Sequence, residues 1–427
     1  MILGLCFVSA ALVSADFLDD LRKAVQPLVD HEAQKYNCAI SVGFKNKNTS
    51  TSFAAGNKDL TKKIPATEND YWVWGSVTKI TTGTAIMRLS EAGEIDLDSS
   101  IVPLIDPFIA EMKKLNASQN FSSLEDLFGP EVVNVTVRDL ARMQSGIPDF
   151  DTAKGSGRLS TDSLRADVYA HPNHEFIPAE LLNVPWVHTG KLEFTPGSKV
   201  HYSSTNFVLL GLILAQHHKA ATWDQYDQSS FVPDKVKPLL SDIKYGVHHS
   251  PENWTDVRGY DRTSYNGHDP TAFPGTDVAG ADGVLSGWTA SDFIATVQAA
   301  ANLVYEVYGP DHNLVSQAGV NEMTRFTEGF YGFSTFDLGR ETGQKGTYGT
   351  AYGHLGATYG FDSIVVYFPG LEFSLSVASN IERDRQEHPS DTICLVYNRI
   401  KNLLLNEPVQ NCTYGQGSYY FGACICK

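Results

Sequence analysis

The chain has little positive charge for its size. Its 33 lysine and arginine residues are outnumbered by 49 aspartate and glutamate residues, and the formal net charge is −16. Nucleic acids and anionic membrane surfaces are bound through basic patches, because their phosphate groups need cationic partners. The composition therefore argues against both of them as partners.

Long apolar segments are absent after the first 15 residues. Residues 1–15 carry no charged side chain and end in Val13-Ser14-Ala15, small residues that suit signal-peptidase cleavage. This run is shorter than the ~18 apolar residues that a membrane span needs, so a membrane anchor is the weaker alternative. We predict that residues 1–15 form a signal peptide and that no membrane span remains after cleavage. The predicted location is extracellular or in the lumen of the secretory pathway.

Asn-x-Ser/Thr motifs support the same route. In a eukaryote such motifs are glycosylated where they lie on surface loops of secreted proteins. Single motifs arise by chance, but six in one chain with a signal peptide favour a glycoprotein. The six motifs begin at Asn48, Asn116, Asn120, Asn134, Asn253 and Asn411.

Cysteine is scarce, with six residues in a chain of 427. Cys6 would leave with the signal peptide, so an odd number remains and at least one thiol stays free or pairs between chains. The end of the chain, residues 406–427, is a cysteine-rich tail that we interpret as a small disulfide-pinned appendage. A metal site there is disfavoured by the oxidising route and by the lack of a fourth well-spaced ligand. The five remaining cysteines are Cys38, Cys394, Cys412, Cys424 and Cys426.

The hydrophobic pattern places strands at both ends of the chain and helices in the middle. Apolar residues at helical spacing predict helices at 16–36, 137–144, 207–216, 291–307 and 391–405. Alternating segments predict one hairpin over residues 38–55 and another on either side of Pro369-Gly370. These elements predict an α/β fold in which an antiparallel sheet is flanked by helices. The α/β domain would be discontinuous, with residues 16–75 and 276–405 enclosing a mainly helical insertion at 76–275.

The main candidate for catalysis is a serine three residues before a lysine, within WGSVTKIT at residues 74–81. Apolar residues at helical spacing follow, so a helix is predicted to begin here. Ser76 would lie in its first turn, with Lys79 as a neighbour and with unpaired backbone N–H groups that favour developing negative charge. The same spacing recurs at Ser241 and Lys244, but no helical pattern follows, and we interpret that copy as chance.

Four more segments of the sequence carry motifs that belong with the Ser76 segment. Residues 194–211, FTPGSKVHYSSTNFVLLG, place Tyr202 before an apolar helix, and residues 353–361, GHLGATYGF, place His354 at the start of a strand. With residues 74–81, with VTVRDLARMQSGIP at 135–148 and with GADGVLS at 280–286, the sequence resembles the serine β-lactamase and penicillin-binding-protein family. The resemblance is closest to the class C and esterase branches, and it covers roughly residues 20–405 in the family's order.

The resemblance implies an acyl-enzyme mechanism. Ser76 would be the acylated nucleophile, Lys79 and Tyr202 would share the general-base and general-acid work, and the N–H groups of Ser76 and Ala357 would hold the oxyanion. The residues implied to contact substrate are His354, Gly356 and Ser204. No metal and no cofactor are expected.

Two routes to the base stay open on the sequence. A lysine with an ordinary pKa of ~10.4 must lose roughly 3 units to act as a base at neutral pH, through burial or a nearby charge. Alternatively, a charged Lys79 stabilises a tyrosinate at Tyr202, which then takes the serine proton.

Two departures from the family pattern shift the predicted substrate. Ser204 stands where the family often has asparagine, and a hydroxyl cannot pair with an amide as a carboxamide does. His354 replaces a lysine, and histidine is mostly neutral above pH ~6.5, so a substrate carboxylate would be held less firmly. We therefore predict a hydrolase of small esters or amides, with esterase-like activity favoured. The alternatives are a β-lactamase or D-amino-acid peptidase, an acyltransferase, or a catalytically silent binding protein on the same scaffold.

Overall fold

A computed structural model describes residues 15–116, 118–151, 164–265, 269–326, 329–410 and 412. The predicted signal peptide up to residue 14, the glycosylation motif at Asn411, and Cys424 and Cys426 of the tail lie outside these residues.

In the described part of the chain, the helices are designated α1 to α11. In order they span Ala15–Tyr36, Thr78–Glu91, Val102–Leu115, Leu124–Phe128, Val137–Ala141, Leu164–Ala170, Pro178–Asn183, Thr205–His217, Val297–Tyr308, Gln317–Met323 and Glu387–Leu405. The strands β1 to β14 of the same residues span Ile40–Asn46, Ser50–Ala55, Asn57–Asp59, Ile64–Pro65, Tyr71–Val73, Ile243–Tyr245, Tyr260–Arg262, Thr276–Asp277, Phe293–Thr296, Phe336–Asp337, Tyr352–Thr358, Phe361–Phe368, Phe373–Ser379 and Ile381–Arg383.

The main sheet combines strands from the two ends of the chain. Its order is β10-β11-β12-β13-β1-β2, and each neighbouring pair is antiparallel. In the register of β1, Ile40 lies opposite Ser379 of β13 on one side and Ala55 of β2 on the other. The predicted α/β class with an antiparallel sheet flanked by helices is confirmed.

Helices cover both faces of this sheet. Successive side chains of a strand point to opposite faces, and in β13 Phe373 packs on Tyr397 of α11 while the Ser374 hydroxyl donates to the Ala301 carbonyl of α9. On the α11 side, α1 packs against α11. All residues of β12 and β13 are buried, as expected of strands covered on both faces.

The predicted helix at 291–307 is wrong in its first part. Residues 293–296 form β9, which pairs with β5 and with β6, and α9 begins only at Val297. Residues 293–296, Phe-Ile-Ala-Thr, are all buried, and such a run fits a buried strand as well as a helix. The Thr296 hydroxyl then caps α9 by accepting a hydrogen bond from the Ala299 N–H. Because β6 lies within residues 76–275, this region is not entirely helical. The predicted boundaries of the insertion stay predictions.

The structure describes one disulfide of the tail. Cys412 forms a disulfide with Cys394 of α11, their Cα atoms 5.8 Å apart, so that bond attaches the start of the tail to the last helix. Cys38 is buried and free.

The predicted glycosylation sites that the structure describes lie mostly at the surface. Asn48, Asn120, Asn134 and Asn253 are exposed, and Asn116 is half-buried. Within the described residues, none of the helices combines the length and the apolar character required to cross a bilayer.

Candidate active site

Ser76 lies in a tight turn between β5 and α2. The helix begins at Thr78, so Ser76 precedes it and does not lie in its first turn as predicted. The Lys79 N–H donates to the Ser76 carbonyl at 3.0 Å, which keeps the two residues neighbours.

The turn is held from three directions. The Trp74 N–H donates to the Phe293 carbonyl at 3.0 Å, its indole N–H donates to the Ala295 carbonyl at 3.0 Å, and its own carbonyl accepts from the Ser363 hydroxyl at 2.9 Å. Gly75 then adopts φ = +53°, a conformation that side chains disfavour. The serine is therefore placed by β9 and β12 together.

Lys79 points its amine at the serine from inside the protein. Its Nζ lies 2.8 Å from the Ser76 Oγ and 2.9 Å from the Ala290 carbonyl oxygen, and the side chain is fully buried. Burial lowers its pKa to about 7, against the opposing effect of Asp149 and Asp151. The amine is thus a base near neutral pH and is within hydrogen-bond reach of the proton it would remove.

Tyr202 lies beside the same pair. The Lys79 Nζ is 5.2 Å from the centre of its ring, and Phe336 stacks on the ring with centroids 6.0 Å apart. Burial raises the pKa of Tyr202 well above its ordinary value, although hydrogen bonding to Ser76 lowers it in part. Of the two routes to the base, the electrostatics favour a neutral Lys79 beside a protonated Tyr202.

The strand that carries the predicted oxyanion donor packs directly on the serine turn. A methyl group placed on Gly356 would lie 2.0 Å from the Trp74 carbonyl oxygen, and one placed on Gly75 would lie 2.5 Å from the Ala357 carbonyl oxygen. Only glycines allow the two backbones to approach this closely. Ala357 is half-buried, and its backbone lies against Gly75, the residue before Ser76.

The predicted substrate-contacting residues differ in position. Ser204 stands at the start of α8, 8% exposed, and hydrogen bonding links its side chain to Tyr202. His354 is fully buried: its Nε2 pairs with the Tyr331 hydroxyl at 3.0 Å and its Nδ1 with the Leu355 carbonyl. Burial and then Lys79 lower the pKa of His354 well below its ordinary value, so the ring is neutral. Its role against substrate stays a prediction.

Two carboxylates near the site were missed on the sequence. Asp149 is half-buried and accepts the Ser204 N–H at 2.8 Å, and Asp151 is half-buried and accepts the Tyr359 hydroxyl at 2.6 Å. Burial and the neighbouring Asp151 raise the pKa of Asp149 to about 7. The available signal was an Asp-x-Asp pattern directly after the family-like segment that ends at Pro148.

The described residues contain no group of three or more His, Cys, Asp and Glu side chains that could hold a metal ion. His174 pairs with Glu180 at 3.3 Å.

Comparison with known sequences agrees with this geometry. A family model described as Beta-lactamase matches residues 32–393. Protein flp of Staphylococcus aureus (strain NCTC 8325 / PS 47) is 24% identical over 223 residues, which are 52% of this chain and 37% of that protein. The similarity thus spans little more than a third of that relative's length.

Solved structures share the fold. The D-amino acid amidase from Ochrobactrum anthropi SV3, complexed with L-phenylalanine amide, gives a TM-score of 0.66 at 20% identity and covers 90% of this chain and 99% of its own. The D-stereospecific amidohydrolase from Streptomyces sp. gives 0.63 at 19% identity, covering 91% and 99%. An octameric penicillin-binding protein homologue from Pyrococcus abyssi gives 0.61 at 19% identity, covering 90% and 77%. With a family model matched from α1 into α11 and a serine–lysine pair in contact, the chain belongs to the β-lactamase family of serine hydrolases.

Proposed function

We propose that the protein hydrolyses small esters or amides through an acyl-serine intermediate on Ser76. The observation that carries this proposal is the 2.8 Å contact between the Ser76 hydroxyl and a fully buried Lys79 amine whose pKa is about 7. A serine is a weak nucleophile until an adjacent base takes its proton, and this pair supplies both groups.

The residues suggest the following sequence of proton transfers. The Ser76 proton passes to the Lys79 Nζ as Oγ attacks the substrate carbonyl, and the N–H groups of Ser76 and Ala357 stabilise the oxyanion. When the tetrahedral intermediate collapses, the leaving oxygen or nitrogen takes a proton from Lys79 by way of Tyr202. A water molecule then attacks the acyl group by the same route, which releases the acid and returns the proton to Ser76.

The charges of the cleft favour a substrate without a carboxylate at the strand. His354 is neutral and buried at the position where the family pattern has a lysine. Ser204 stands where the family pattern has the carboxamide of an asparagine. Both features support an esterase-like hydrolase over a β-lactamase.

A second candidate is an amidase or peptidase for amino-acid amides with a free amine. Asp149 and Asp151 place carboxyl groups beside the cleft, and a substrate ammonium would relieve their mutual repulsion. Two of the solved structures with this fold are named D-amino acid amidase and D-stereospecific amidohydrolase.

We also propose that the protein acts after secretion, as a glycoprotein. The exposure of Asn48, Asn120, Asn134 and Asn253 supports glycan attachment at these sites. Release of N-glycans from protein expressed in a eukaryotic host, followed by peptide mapping, would test it; unmodified motifs would contradict it.

The nucleophile is tested by intact-mass analysis after treatment with a fluorophosphonate. We expect one adduct on the wild type, mapped to the Ser76 peptide, and no adduct on Ser76→Ala. The matched control is Ser241→Ala, at the exposed second Ser-x-x-Lys copy, which should label like the wild type. A folded wild type that is never acylated would favour a silent binding protein.

The substrate class is tested by comparing three kinds of chromogenic substrate. Simple p-nitrophenyl esters, D-phenylalanine p-nitroanilide and nitrocefin separate the esterase, amidase and β-lactamase alternatives by their kcat/KM values. Added alcohol or amine that diverts the acyl group from water would instead identify an acyltransferase.

A further inference from the structure

We propose that Tyr359, fixed in place by Arg165, is a positioning residue that sets the direction of the Asp151 carboxylate near the candidate active site. The inference deepens the proposed amidase function and rests on it: it assigns to Asp151 the recognition of a substrate amine, and to Tyr359 the orientation of Asp151.

Arg165 is held rigidly by two acids. Its guanidinium donates to both carboxylate oxygens of Glu382, each at 2.7 Å, and to the Asp261 Oδ2 at 2.7 Å. Glu382 and Asp261 lie opposite each other in the parallel pair β14–β7, so the sheet register presents them side by side. A bidentate pair of this kind fixes the plane of the guanidinium.

Two tyrosine rings lie over the faces of that guanidinium. Its central carbon is 4.4 Å from the centre of the Tyr265 ring and 4.5 Å from the centre of the Tyr359 ring. Arg165 is 5% exposed. Because two acids balance its charge and it is buried, Arg165 is not available to bind a substrate anion, and its effect on the cleft passes through Tyr359.

Tyr359 connects this cluster to the cleft. Its hydroxyl donates to the Asp151 Oδ1 at 2.6 Å, and the next residue, Gly360, donates its N–H to the Glu382 Oε2 at 3.1 Å. Tyr359 also follows the oxyanion strand directly, two residues after Ala357. The turn that ends β11 and the carboxylate of Asp151 are therefore fixed to the same buried cluster.

The Asp151 carboxylate accepts a hydrogen bond from a neutral group, the Tyr359 hydroxyl. Among the described residues Asp151 forms no salt bridge, so this part of the chain offers its carboxylate the Tyr359 hydroxyl and no cation in contact. A substrate ammonium would be the matching group, because a hydrogen bond between two charged groups is stronger than one between neutral groups.

The test uses Tyr359→Phe, which keeps the ring over Arg165 and removes only the hydroxyl. We expect KM for D-phenylalanine p-nitroanilide to rise about tenfold, the effect of a hydrogen bond to a charged group, with kcat little changed. KM for the N-acetylated substrate, which carries no ammonium, should stay the same. In an Asp151→Asn background, Tyr359→Phe should have no further effect.

The matched control is Tyr397→Phe. Tyr397 is also a buried tyrosine with a 2.6 Å hydrogen bond, to the Tyr348 carbonyl, but it lies on α11 behind the sheet. It should leave both KM values unchanged. If Tyr359→Phe and Tyr397→Phe behave alike, or if the acetylated substrate suffers equally, the inference is overturned.

A binding measurement separates this inference from the proposed hydrolysis. Calorimetry with D-phenylalanine amide on Ser76→Ala protein, with and without Tyr359→Phe, needs no turnover. A dissociation constant about tenfold higher in the double variant supports the inference even where fluorophosphonate labelling fails. Equal constants overturn it even where labelling succeeds. Arg165→Lys, which keeps the charge and loses the fork, should weaken binding in the same direction if it folds.

Discussion

Two buried lysines in this protein have opposite electrostatics. Lys58 donates to Asp70 at 2.8 Å and to Asp256 at 2.6 Å, whereas the Lys79 amine donates to the Ser76 hydroxyl and the Ala290 carbonyl. Burial works to lower both pKa values, but hydrogen bonds to Asp256 and Asp70 outweigh it at Lys58, whose pKa is raised. Lys58 therefore stays charged, and Lys79 changes charge near neutral pH.

The difference shows that burial alone does not make a lysine a base. A carboxylate in direct contact would keep Lys79 protonated and remove its ability to accept the serine proton. The neutral oxygens around it accept hydrogen bonds from the amine but do not offset the cost of burying its charge, and Asp149 and Asp151 oppose the effect of burial only in part. Lys58 has the partners of a structural lysine, and Lys79 those of a catalytic one.

The largest expected effect is the loss of activity in Lys79→Met. Removal of a general base lowers the rate by about 10²–10⁴-fold, and we expect kcat/KM for an ester substrate to fall by about that factor. The free energy of unfolding should change little or rise, since a buried amine that makes hydrogen bonds but no ion pair is replaced by an apolar chain of similar length. A fall in stability with full activity would reverse the roles assigned to the two lysines.

Lys58→Met should show the opposite behaviour. Asp70, only 6% exposed, would lose its cationic partner, and we expect a loss of about 3 kcal/mol in urea unfolding, as for a broken buried ion pair. The folded variant should keep its kcat/KM, which distinguishes it from Lys79→Met.

Gly356→Ala tests whether the serine beside Lys79 depends on the close approach of β11. The new methyl group would clash with the Trp74 carbonyl and displace the oxyanion strand, so kcat should fall by about 10²-fold, as when an oxyanion donor is lost. Gly280→Ala is the matched control, because its nearest neighbour would be the Glu252 side chain at 3.5 Å. Equal kcat values in the two variants would contradict the proposed contact.

The effects of pH should be smaller per pH unit than the effects of the substitutions above. As the pH rises, the two lysines should change the free energy of unfolding in opposite directions. With a Lys79 pKa of about 7, kcat/KM should rise about tenfold per pH unit below 7 and level off above it. Between pH 7 and 10.5 the unfolded chain keeps the Lys79 proton that the folded protein has lost. Stability relative to Lys79→Met should therefore rise by about 1.4 kcal/mol per pH unit in that window.

Lys58 gives the reverse dependence. Its folded pKa lies above 10.5, so its contribution is fully present at lower pH and is lost as the pH rises through the folded value. Unfolding curves of Lys58→Met and wild type should converge at high pH. The contrast between the two lysines would be contradicted if kcat/KM did not change below pH 7 and if the free energies of unfolding of wild type and variants changed equally with pH.

Much of the catalytic centre was predictable because it is local. Ser76 and Lys79 are three residues apart at the start of a helical pattern, so periodicity predicts them as neighbours, whereas Tyr202 was assigned by the resemblance to the β-lactamase family. The hairpin around Pro369-Gly370 was predictable for the same reason, since its turn residues separate two apolar runs.

The remaining features depend on contacts between distant parts of the chain. Asp149 lies beside the site because the start of α8 brings the Ser204 N–H within hydrogen-bond distance of its carboxylate. Arg165 is held in place by acids that are far from it in the sequence. The start of α9 was misplaced because the buried run at 293–296 fits two periodicities, and pairing with β5 decides between them. The complete burial of His354 follows from packing that no local pattern records, and its predicted contact with substrate stays a prediction.

The order of strands in the main sheet has a consequence for biosynthesis. β1 is among the first elements to leave the ribosome, whereas its partner β13 is among the last. The turn at Ser76 likewise packs on β11, which is synthesised much later. Such long-range pairing is slow and leaves early strands exposed to aggregation until the chain is nearly finished. Nascent chains arrested before β13 should therefore resist fluorophosphonate labelling and engage chaperones, which makes acylation of Ser76 a readout of completed synthesis.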